Sequence, residues 1–427
     1  MKIVRIISLV LPALLVFNSC KMSSVEWAEL EMPDFSTLDP TKSFIPFSYS
    51  DDEFGSNALM SCSLPGGETV GDVVEGETKT TSTNGAGLFT SLISMWHSGN
   101  IRSYCGKYLS TDCNGDPIRL SGRIILPADG KVSRILIATH FTIAADREAP
   151  SNSVTMESMF AAKGLAVIEP DYIGYGITSD RIHPYLCAKV TAGNVVDMYY
   201  AALPFLEKIG CKPQYDDIFV LGYSQGGAVA MSVAQELNYY HPDVKIRMAM
   251  CGGGPYDICT TYDTLVDNNY TDIPCAIPLI IQGMNDGMNL GLDYKDYFLP
   301  HIVENMDEWL NSKKYTVSEV TEMIGSHQMS DILTPAARNK AKDIMTILYR
   351  AMVDNSVTNE WIPSCPIYLF HSMDDNVVPF ANAVKMEEKL VYSNVIYNFG
   401  HYGSHQMGCL RFMFCCQDLL KSHGDIR

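Results

Sequence analysis

The chain has 427 residues, 47% of them hydrophobic and 19% charged, which suits one large domain or two ordinary ones and excludes wholesale disorder. Its formal net charge of −18 argues against binding to a nucleic acid backbone. The 13 cysteines form no C-x-x-C pair and there is no G-x-x-x-x-G-K-[ST] motif, so a zinc ribbon, a thioredoxin-type site and a P-loop find no support.

The extreme N-terminus has the pattern of an export signal. Lys2 and Arg5 flank the start of an apolar run over 6–17, which as a helix would span about 18 Å, well short of the roughly 30 Å hydrocarbon core of a bilayer. The next residues, Phe17-Asn18-Ser19-Cys20, resemble a bacterial lipobox with Cys20 as the lipidated residue. We therefore predict a signal peptide over 1–19 and an exported cell-envelope protein, periplasmic or at the surface, anchored to a membrane by a lipid on Cys20. A plain cleavable signal peptide is the alternative.

Residues 20–100 are predicted to form an N-terminal tether and extension. Asn114-Gly115, between two apolar segments, then predicts a β-hairpin. Beyond Ser133, short apolar runs alternate with helical patterns. Strands are predicted at 134–138, 165–168, 218–221, 245–251, 366–370 and 395–397, and helices at 151–162 with Ser153 as N-cap, 184–209 and 228–240. This alternation is typical of an α/β fold with a mostly parallel central sheet and helices on both faces.

The stretch 255–362 interrupts this alternation. It has helical patterns at 307–313, 317–324 and 336–353 but no comparable buried strand. We predict that it is a helical cap inserted before the penultimate core strand, and that 101–254 and 363–427 form the core. Because open α/β sheets bind ligands at the carboxyl edge of their strands, the cap should lie over that edge.

One motif carries chemistry. Gly222-Tyr223-Ser224-Gln225-Gly226 fits G-x-S-x-G, and it lies between a buried strand that ends at Leu221 and a helix that begins after Gly227. A nucleophile elbow needs this context, because a sharp strand-to-helix turn exposes the serine hydroxyl beside a helix N-terminus. The pattern predicts that Ser224 is a nucleophile, and the alternative is a glycine-rich turn with an inert serine.

A serine hydroxyl is a weak nucleophile and needs a base oriented by an acid. Asp374 and Asp375 follow the strand predicted at 366–370, and we favour Asp375 as the acid because His371 to Pro379 resembles the acid loop H-G-x-x-D-x-x-V-P. Two histidines follow the last strand, His401 and His405. His405 stands directly before the C-terminal helix, and it is favoured as the base because of the family resemblance described next. His401 is the alternative base.

From about 104 to 420 the chain resembles the secretory lipase family, the lipase-A-like members of the α/β-hydrolase superfamily. Its most specific segments are Glu169 to Gly176, which read EPDYIGYG, and His183-Pro184-Tyr185. For Asp171 and the glycines near Tyr172 we favour a structural role in a tight turn. Residues 139–142 match the loop that supplies one oxyanion donor in this family, and the resemblance assigns that role to Thr142. The second donor is then the backbone N–H of Gln225, directly after the nucleophile.

These observations predict an exported serine ester hydrolase, a carboxylesterase or lipase, that forms an acyl-enzyme on a small-molecule or lipid-like ester. Its catalytic residues would be Ser224, Asp375 and His405. Neither a metal nor an organic cofactor is expected, and no nucleic acid partner. The alternatives are an exported serine peptidase on the same fold and a non-catalytic surface binding protein on a hydrolase scaffold.

Overall fold

A computed structural model describes residues 45–46, 101–153, 155–358, 361–390 and 393–426. The predicted signal peptide, Cys20 and nearly all of the extension over 20–100 lie outside these residues. Nine strands occur within them: β1 Ile45–Pro46, β2 Ile101–Thr111, β3 Pro117–Pro127, β4 Arg134–Thr139, β5 Ala166–Pro170, β6 Gln214–Tyr223, β7 Lys245–Gly252, β8 Ile367–Ser372 and β9 Val395–Gly400. They form one sheet in the order β1-β2-β3-β5-β4-β6-β7-β8-β9.

The predicted hairpin and parallel sheet are both confirmed. β2 pairs antiparallel with β3 from Ile101 opposite Pro127 to Thr111 opposite Pro117. Gly115 takes a left-handed φ of 82° in the turn, and the Asp112 carboxylate accepts hydrogen bonds from two turn amides. β3 is antiparallel to β5, and every pairing from β5 through β4 to β9 is parallel.

Helices cover both faces of the sheet. In chain order they are α1 Ser158–Ala162, α2 Ala188–Lys208, α3 Gln225–Tyr240, α4 Ile258–Asp267, α5 Ala276–Gly287, α6 Tyr294–Tyr297, α7 Pro300–Met306, α8 Val317–Ile324, α9 Pro335–Arg338, α10 Lys342–Asn355, α11 Ala381–Lys389 and α12 His405–Ser422. The apolar side chains of α2 and α3 pack in one core on one face. Those of α1 and α12 pack in a second core on the other face.

The segment between β7 and β8 is helical, as predicted. It carries α4 to α10, and the described residues there add no strand to the sheet. Side chains of these helices form an apolar core of their own, which includes Tyr262, Ile281 and Leu348. We refer to α4–α10 and their connections as the inserted helices.

Three predicted helices begin later than expected or are interrupted. The helix predicted from residue 151 begins only at Ser158 and has Glu157 at its N-cap, so Ser153 as N-cap was wrong. The carbonyls of Pro150 and Ser151 accept from the buried Arg123 guanidinium, and the Ser151 amide binds Asp171. These side chains occupy the backbone groups that a helix would use.

The other two differences also have local causes. The helix predicted over 184–209 begins at Ala188, because Leu186 takes a left-handed φ of 61°. The helix predicted over 336–353 is two helices, α9 and α10, separated where Lys340 takes a φ of 54°. The Lys340 ammonium lies 2.7 Å from Asp267 Oδ1 in α4, which ties this break to the neighbouring helix.

Two buried glutamates lie beside the carboxyl end of β5. Glu157 and Glu169 are almost fully buried. Thr155 Oγ1 donates to Glu169 Oε1 at 2.5 Å, whereas Glu169 Oε2 has no hydrogen-bond partner in the described part of the chain. Burial, reinforced by the negative charge of Glu157, raises the pKa of Glu169, and burial also raises the pKa of Glu157. Between pH 4.5 and about pH 8, the folded protein therefore keeps a proton on Glu169 that the unfolded chain has lost.

Glu169→Gln should make stability less dependent on pH. When folding raises the pKa of a carboxyl, the folded protein loses stability as the pH rises above the ordinary pKa of that carboxyl, here 4.5. The reason is that the group then ionises freely only in the unfolded chain. We expect the thermal midpoint of the variant to match the wild type near pH 4 and to exceed it at pH 8. Glu304→Gln, at an exposed position, is the control and should leave the profile unchanged. Parallel pH profiles for wild type and Glu169→Gln would contradict this expectation.

Candidate active site

The candidate site lies where the strand order of the sheet changes direction. β4 pairs with β5 on one side and with β6 on the other, all three parallel. The loops after β4 and β6 therefore diverge at their carboxyl ends, which is where open α/β sheets bind ligands. Ser224 directly follows β6, and Thr142 lies in the loop after β4.

Ser224 occupies a strained turn between β6 and α3. Its backbone angles are φ 59° and ψ −127°, a left-handed φ that a residue with a side chain rarely adopts. The flanking glycines allow this turn. A Cβ on Gly222 would lie 2.1 Å from Thr139 Oγ1, and a Cβ on Gly226 would lie 2.0 Å from the Thr139 carbonyl oxygen. The predicted elbow geometry is therefore present, with the serine at the N-terminus of α3.

His405 is the histidine that reaches the serine. Its Nε2 lies 2.8 Å from Ser224 Oγ. His405 is the first residue of α12, which Ser404 caps by accepting from the Met407 amide. The Tyr223 hydroxyl donates to the His405 carbonyl oxygen at 2.9 Å, so the residue before the serine also holds the backbone of the histidine.

Asp375 lies on the far side of this imidazole. Its Oδ2 is 2.6 Å from His405 Nδ1, and its Oδ1 accepts from the amides of Val377 and Val378 at 2.9 and 2.8 Å. Burial opposes the charged form, but the adjacent His405, His371 and the Val378 amide outweigh it and hold the pKa of Asp375 below its ordinary value. The carboxylate is thus an acceptor for Nδ1–H, which leaves Nε2 unprotonated toward the serine.

The alternative residues form a second pair that faces solvent. His401 Nδ1 lies 2.7 Å from Asp374 Oδ1, with side-chain exposures of 74% and 42%. The Gly403 amide also donates to Asp374 Oδ2 at 3.3 Å. The hydrogen bond from His401, then that from the Gly403 amide, hold the pKa of Asp374 below its ordinary value. In the sequence, Asp374 directly precedes Asp375, and His401 precedes His405 in the loop after β9. The His401 side chain forms its hydrogen bond with Asp374 rather than with Ser224.

The two residues predicted as oxyanion donors lie on different elements, Gln225 in α3 and Thr142 in the loop after β4. Gln225 is the first residue of α3, and its amide therefore belongs to the free N–H groups of a helix N-terminus. Its side-chain Nε2 lies 2.7 Å from His183 Nε2. Thr142 is held through its hydroxyl, which lies 2.7 Å from the Tyr185 hydroxyl.

Several site residues were missed from the sequence. No role at the site was predicted for His183 or His371. His183 binds Gln225, and His371 Nε2 lies 3.7 Å from Asp375 Oδ2 and 2.9 Å from the Val378 carbonyl oxygen. Tyr223 and Tyr185 carried no signal in isolation, although each stands within or beside a motif. Adjacency to those motifs is the clue that could have identified them.

The tight-turn role expected for Asp171 and its neighbouring glycines agrees with the structure. Tyr172, Gly174 and Gly176 take left-handed φ values of 67°, 93° and 58°. A Cβ on Gly176 would lie 2.2 Å from Asp171 Oδ2, and that carboxylate accepts from Ser121 Oγ at 2.5 Å. This turn brings Gly174 against His183 and so places the segment that contacts Gln225.

The sequence model of the secretory lipase family matches residues 150–401. This chain belongs to the secretory lipase family. The match includes Ser224 and Asp375 but ends before His405. Curated protein sequences give no significant match. Membership in this family supports the hydrolysis of ester bonds, and it favours an exported protein.

Solved structures share their fold with most of this chain. The cell wall degrading esterase LipA of Xanthomonas oryzae superposes with a TM-score of 0.67 at 19% identity, over 78% of this chain and 94% of that one. A Legionella pneumophila protein gives 0.66 at 18% identity, over 76% and 89%. Candida antarctica lipase A in its closed state gives 0.53 at 15% identity, over 73% and 75%. These superpositions establish a common α/β-hydrolase fold.

Among the described residues, no helix is long and apolar enough to cross a bilayer. In that same part of the chain, no group of three or more His, Cys, Asp or Glu side chains is arranged to hold a metal ion.

Proposed function

We propose that this secretory lipase family member is a serine ester hydrolase in which Ser224, His405 and Asp375 form the catalytic triad. The observation that carries the proposal is the unbroken chain of hydrogen bonds from Asp375 Oδ2 through the His405 imidazole to Ser224 Oγ, at 2.6 and 2.8 Å. It ends on a serine in a strained elbow. These are the nucleophile, the base and the orienting acid that acyl transfer needs.

The reaction proceeds in two halves. Ser224 Oγ forms a bond to the ester carbonyl carbon while its proton passes to His405 Nε2, and the carbonyl oxygen becomes an oxyanion. Collapse of this intermediate breaks the ester C–O bond, and the alcohol leaves with the proton from Nε2. A water molecule then attacks the acyl-enzyme in the same way, and the acid departs with Ser224 restored. Asp375 holds the imidazole in the required tautomer and offsets its positive charge.

The oxyanion would be bound by the backbone amides of Gln225 and Thr142. The Gln225 amide lies at the N-terminus of α3, where unpaired N–H groups and the helix dipole both favour negative charge. The Thr142 amide would approach from the loop after β4. Each donor contributes most when it is already in place before charge develops, because no reorganisation is then needed during the reaction.

The inserted helices support the proposed division into a core, 101–254 and 363–427, and a cap, 255–362. They have a separate apolar core. They also reach loops that follow parallel strands: the Asp146 amide donates to the Lys313 carbonyl oxygen at 2.8 Å, and Thr271 Oγ1 lies 3.4 Å from the Asn376 carbonyl oxygen. A cap in this position would enclose the ester at the carboxyl edge of the sheet.

The mechanism is tested by looking for its covalent intermediate. Rapid mixing with a p-nitrophenyl ester should release a burst of p-nitrophenol equal to the molar amount of enzyme. Mass spectrometry of the quenched protein should then find the acyl group on the peptide that contains Ser224. Failure to modify Ser224 with either the ester or a fluorophosphonate would favour a non-catalytic binding protein. Faster cleavage of aminoacyl anilides than of matched esters would favour a peptidase.

The ester preferred by this chain can be found with a panel of substrates. LipA of Xanthomonas oryzae is described as a rice cell wall degrading esterase. The panel should therefore contain feruloyl and acetylated sugar esters beside p-nitrophenyl esters of short to long acyl chains. Comparison of kcat/KM across the panel separates recognition of the acyl part from recognition of the alcohol.

We also propose that the protein is exported and lipid-anchored through Cys20, a residue outside the described part of the chain. The support is the sequence pattern around Cys20 and membership in a secretory family. When the protein is expressed in a bacterium with its own leader, the wild type should partition into detergent, whereas Cys20→Ser should be recovered in the aqueous phase. Equal partitioning of the two forms would leave a plain signal peptide.

A further inference from the structure

The segment His183-Pro184-Tyr185 contacts both residues that are proposed to supply the oxyanion hole. His183 Nε2 lies 2.7 Å from Gln225 Nε2, and the Tyr185 hydroxyl lies 2.7 Å from Thr142 Oγ1. Gln225 belongs to α3 and Thr142 to the loop after β4, so the two donors lie on separate elements of the fold. The segment 183–185 contacts the side chains of both donors and so links the two elements.

The direction of the hydrogen bond between Gln225 and His183 fixes the tautomer of His183. An amide nitrogen only donates, so His183 Nε2 must accept from Gln225 Nε2. The ring proton is then on Nδ1, which donates to the Ile173 carbonyl oxygen at 2.7 Å. Burial, followed by the positive charge of Lys313, lowers the pKa of His183 to about 3. The imidazole therefore stays neutral, and the acceptor for Gln225 is retained down to acidic pH.

The segment is held in place by close backbone packing on two sides. A Cβ on Gly174 would lie 2.7 Å from His183 Cα, and a Cβ on Gly283 in α5 would lie 2.4 Å from the Tyr185 amide nitrogen. The His183 ring also stacks on Tyr172, with 6.0 Å between centroids and 8° between planes. Contacts this close leave little room for movement, because protein interiors are packed as densely as organic crystals.

We propose that His183 and Tyr185 are positioning residues that hold the two amide donors of the oxyanion hole in their catalytic orientation. Gln225 makes this necessary: its side chain directly follows the nucleophile, and the bond to His183 fixes the residue whose amide faces the developing charge. Tyr185 does the same for the loop that carries Thr142. The proposal rests on the serine mechanism proposed above.

Two near-isosteric variants remove one hydrogen bond each. Gln225→Met keeps the length of the side chain and its backbone amide, and Tyr185→Phe keeps the ring. Loss of a whole oxyanion donor costs about 10²–10³ in kcat, so a misplaced donor should cost about tenfold with little change in KM. The inhibition constant of a boronic acid, whose tetrahedral serine adduct places an oxygen in the hole, should rise by about the same factor, because it mimics the transition state.

Matched controls separate positioning from general stability. Gln235→Met changes the same residue type in α3, where Gln235 Nε2 donates to the Val357 carbonyl oxygen at 3.0 Å. Tyr199→Phe removes another buried tyrosine hydroxyl, which donates to the Tyr215 carbonyl oxygen at 2.7 Å. Both controls should lower the thermal midpoint to a similar extent as the test variants while leaving kcat and boronate affinity unchanged.

Thr142→Val removes the hydrogen bond between Thr142 and Tyr185 by changing Thr142 instead of Tyr185, and it keeps the Thr142 backbone amide. Its kcat should match that of Tyr185→Phe, and the double variant should be no slower than either, because the same contact is lost once. It also tests this contact if Tyr185→Phe does not fold. Gln225→Met combined with Tyr185→Phe should instead multiply the two losses.

The proposal is overturned if Gln225→Met and Tyr185→Phe retain kcat and boronate affinity within about twofold of the wild type, or if the controls lose as much. Failure of the serine mechanism has a different signature. In that case the wild type itself would form no boronate adduct, and Ser224→Ala would remain active. The two failures are therefore distinguishable in one set of assays.

Discussion

Ser224→Ala should lower kcat/KM for p-nitrophenyl esters by a factor of about 10⁵–10⁶, the scale seen when a catalytic serine is removed from other hydrolases. The variant loses the atom that attacks the carbonyl and cannot form an acyl-enzyme. The fold should survive, because alanine and serine meet the same strain at the observed φ of 59°. Ester assays and thermal unfolding of purified protein measure the two effects.

Ser232→Ala is the matched control for this experiment. Ser232 lies in the same helix, α3, is also buried, and its Oγ donates to the Ala228 carbonyl oxygen at 3.0 Å. It should retain wild-type kcat/KM. Activity of Ser224→Ala within about tenfold of the wild type would exclude Ser224 as the nucleophile.

The second large effect is a contrast between the two Asp–His pairs. His405→Ala and Asp375→Asn should each lower kcat by about 10⁴ or more, because the serine then loses its base or the imidazole loses its correct tautomer. His401→Ala and Asp374→Asn should keep most of the kcat and change mainly KM, since their pair is exposed to solvent and makes no hydrogen bond to Ser224 in the described part of the chain. Steady-state kinetics of the four single variants measure the contrast.

The four variants also control for one another, because each exposed residue is matched in type to a buried one. Thermal unfolding should accompany the kinetics, so that loss of fold is separated from loss of chemistry. Near-complete loss in His401→Ala with an active His405→Ala would transfer the base to His401. A larger loss in Asp374→Asn than in Asp375→Asn would likewise transfer the acid.

The physical difference between the two pairs is their environment rather than their bond lengths. The Asp–His distances are 2.6 Å for the buried pair and 2.7 Å for the exposed one. Asp375 and His405 are shielded from water and aligned with Ser224 Oγ, so their charges act at short range in a medium of low dielectric constant. Asp374 and His401 are exposed to solvent, which screens their interaction, and a surface pair of this kind contributes little energy.

Local sequence determined the parts of this protein that depend on neighbouring residues. The alternation of apolar runs and helical patterns indicated the α/β fold, since burial on both faces imposes that pattern on each strand. G-x-S-x-G between a strand and a helix indicated the elbow at Ser224, because the glycines are required within the turn itself. The predicted start of a helix at 151–153 was wrong, since Arg123 in β3 and Asp171 directly after β5 reach those backbone groups.

Only the tertiary structure decided which side chains meet across the crevice. Asp375 with His405 and Asp374 with His401 are both compatible with the spacing of the sequence, because either register suits loops of that length. The ends of β8 and β9 and the start of α12 in space select His405 as the partner of Ser224. The contacts of His183 with Gln225 and of Tyr185 with Thr142 join residues 42 and 43 positions apart. Such contacts leave no local periodicity in the sequence, since they arise from the packing of separate elements.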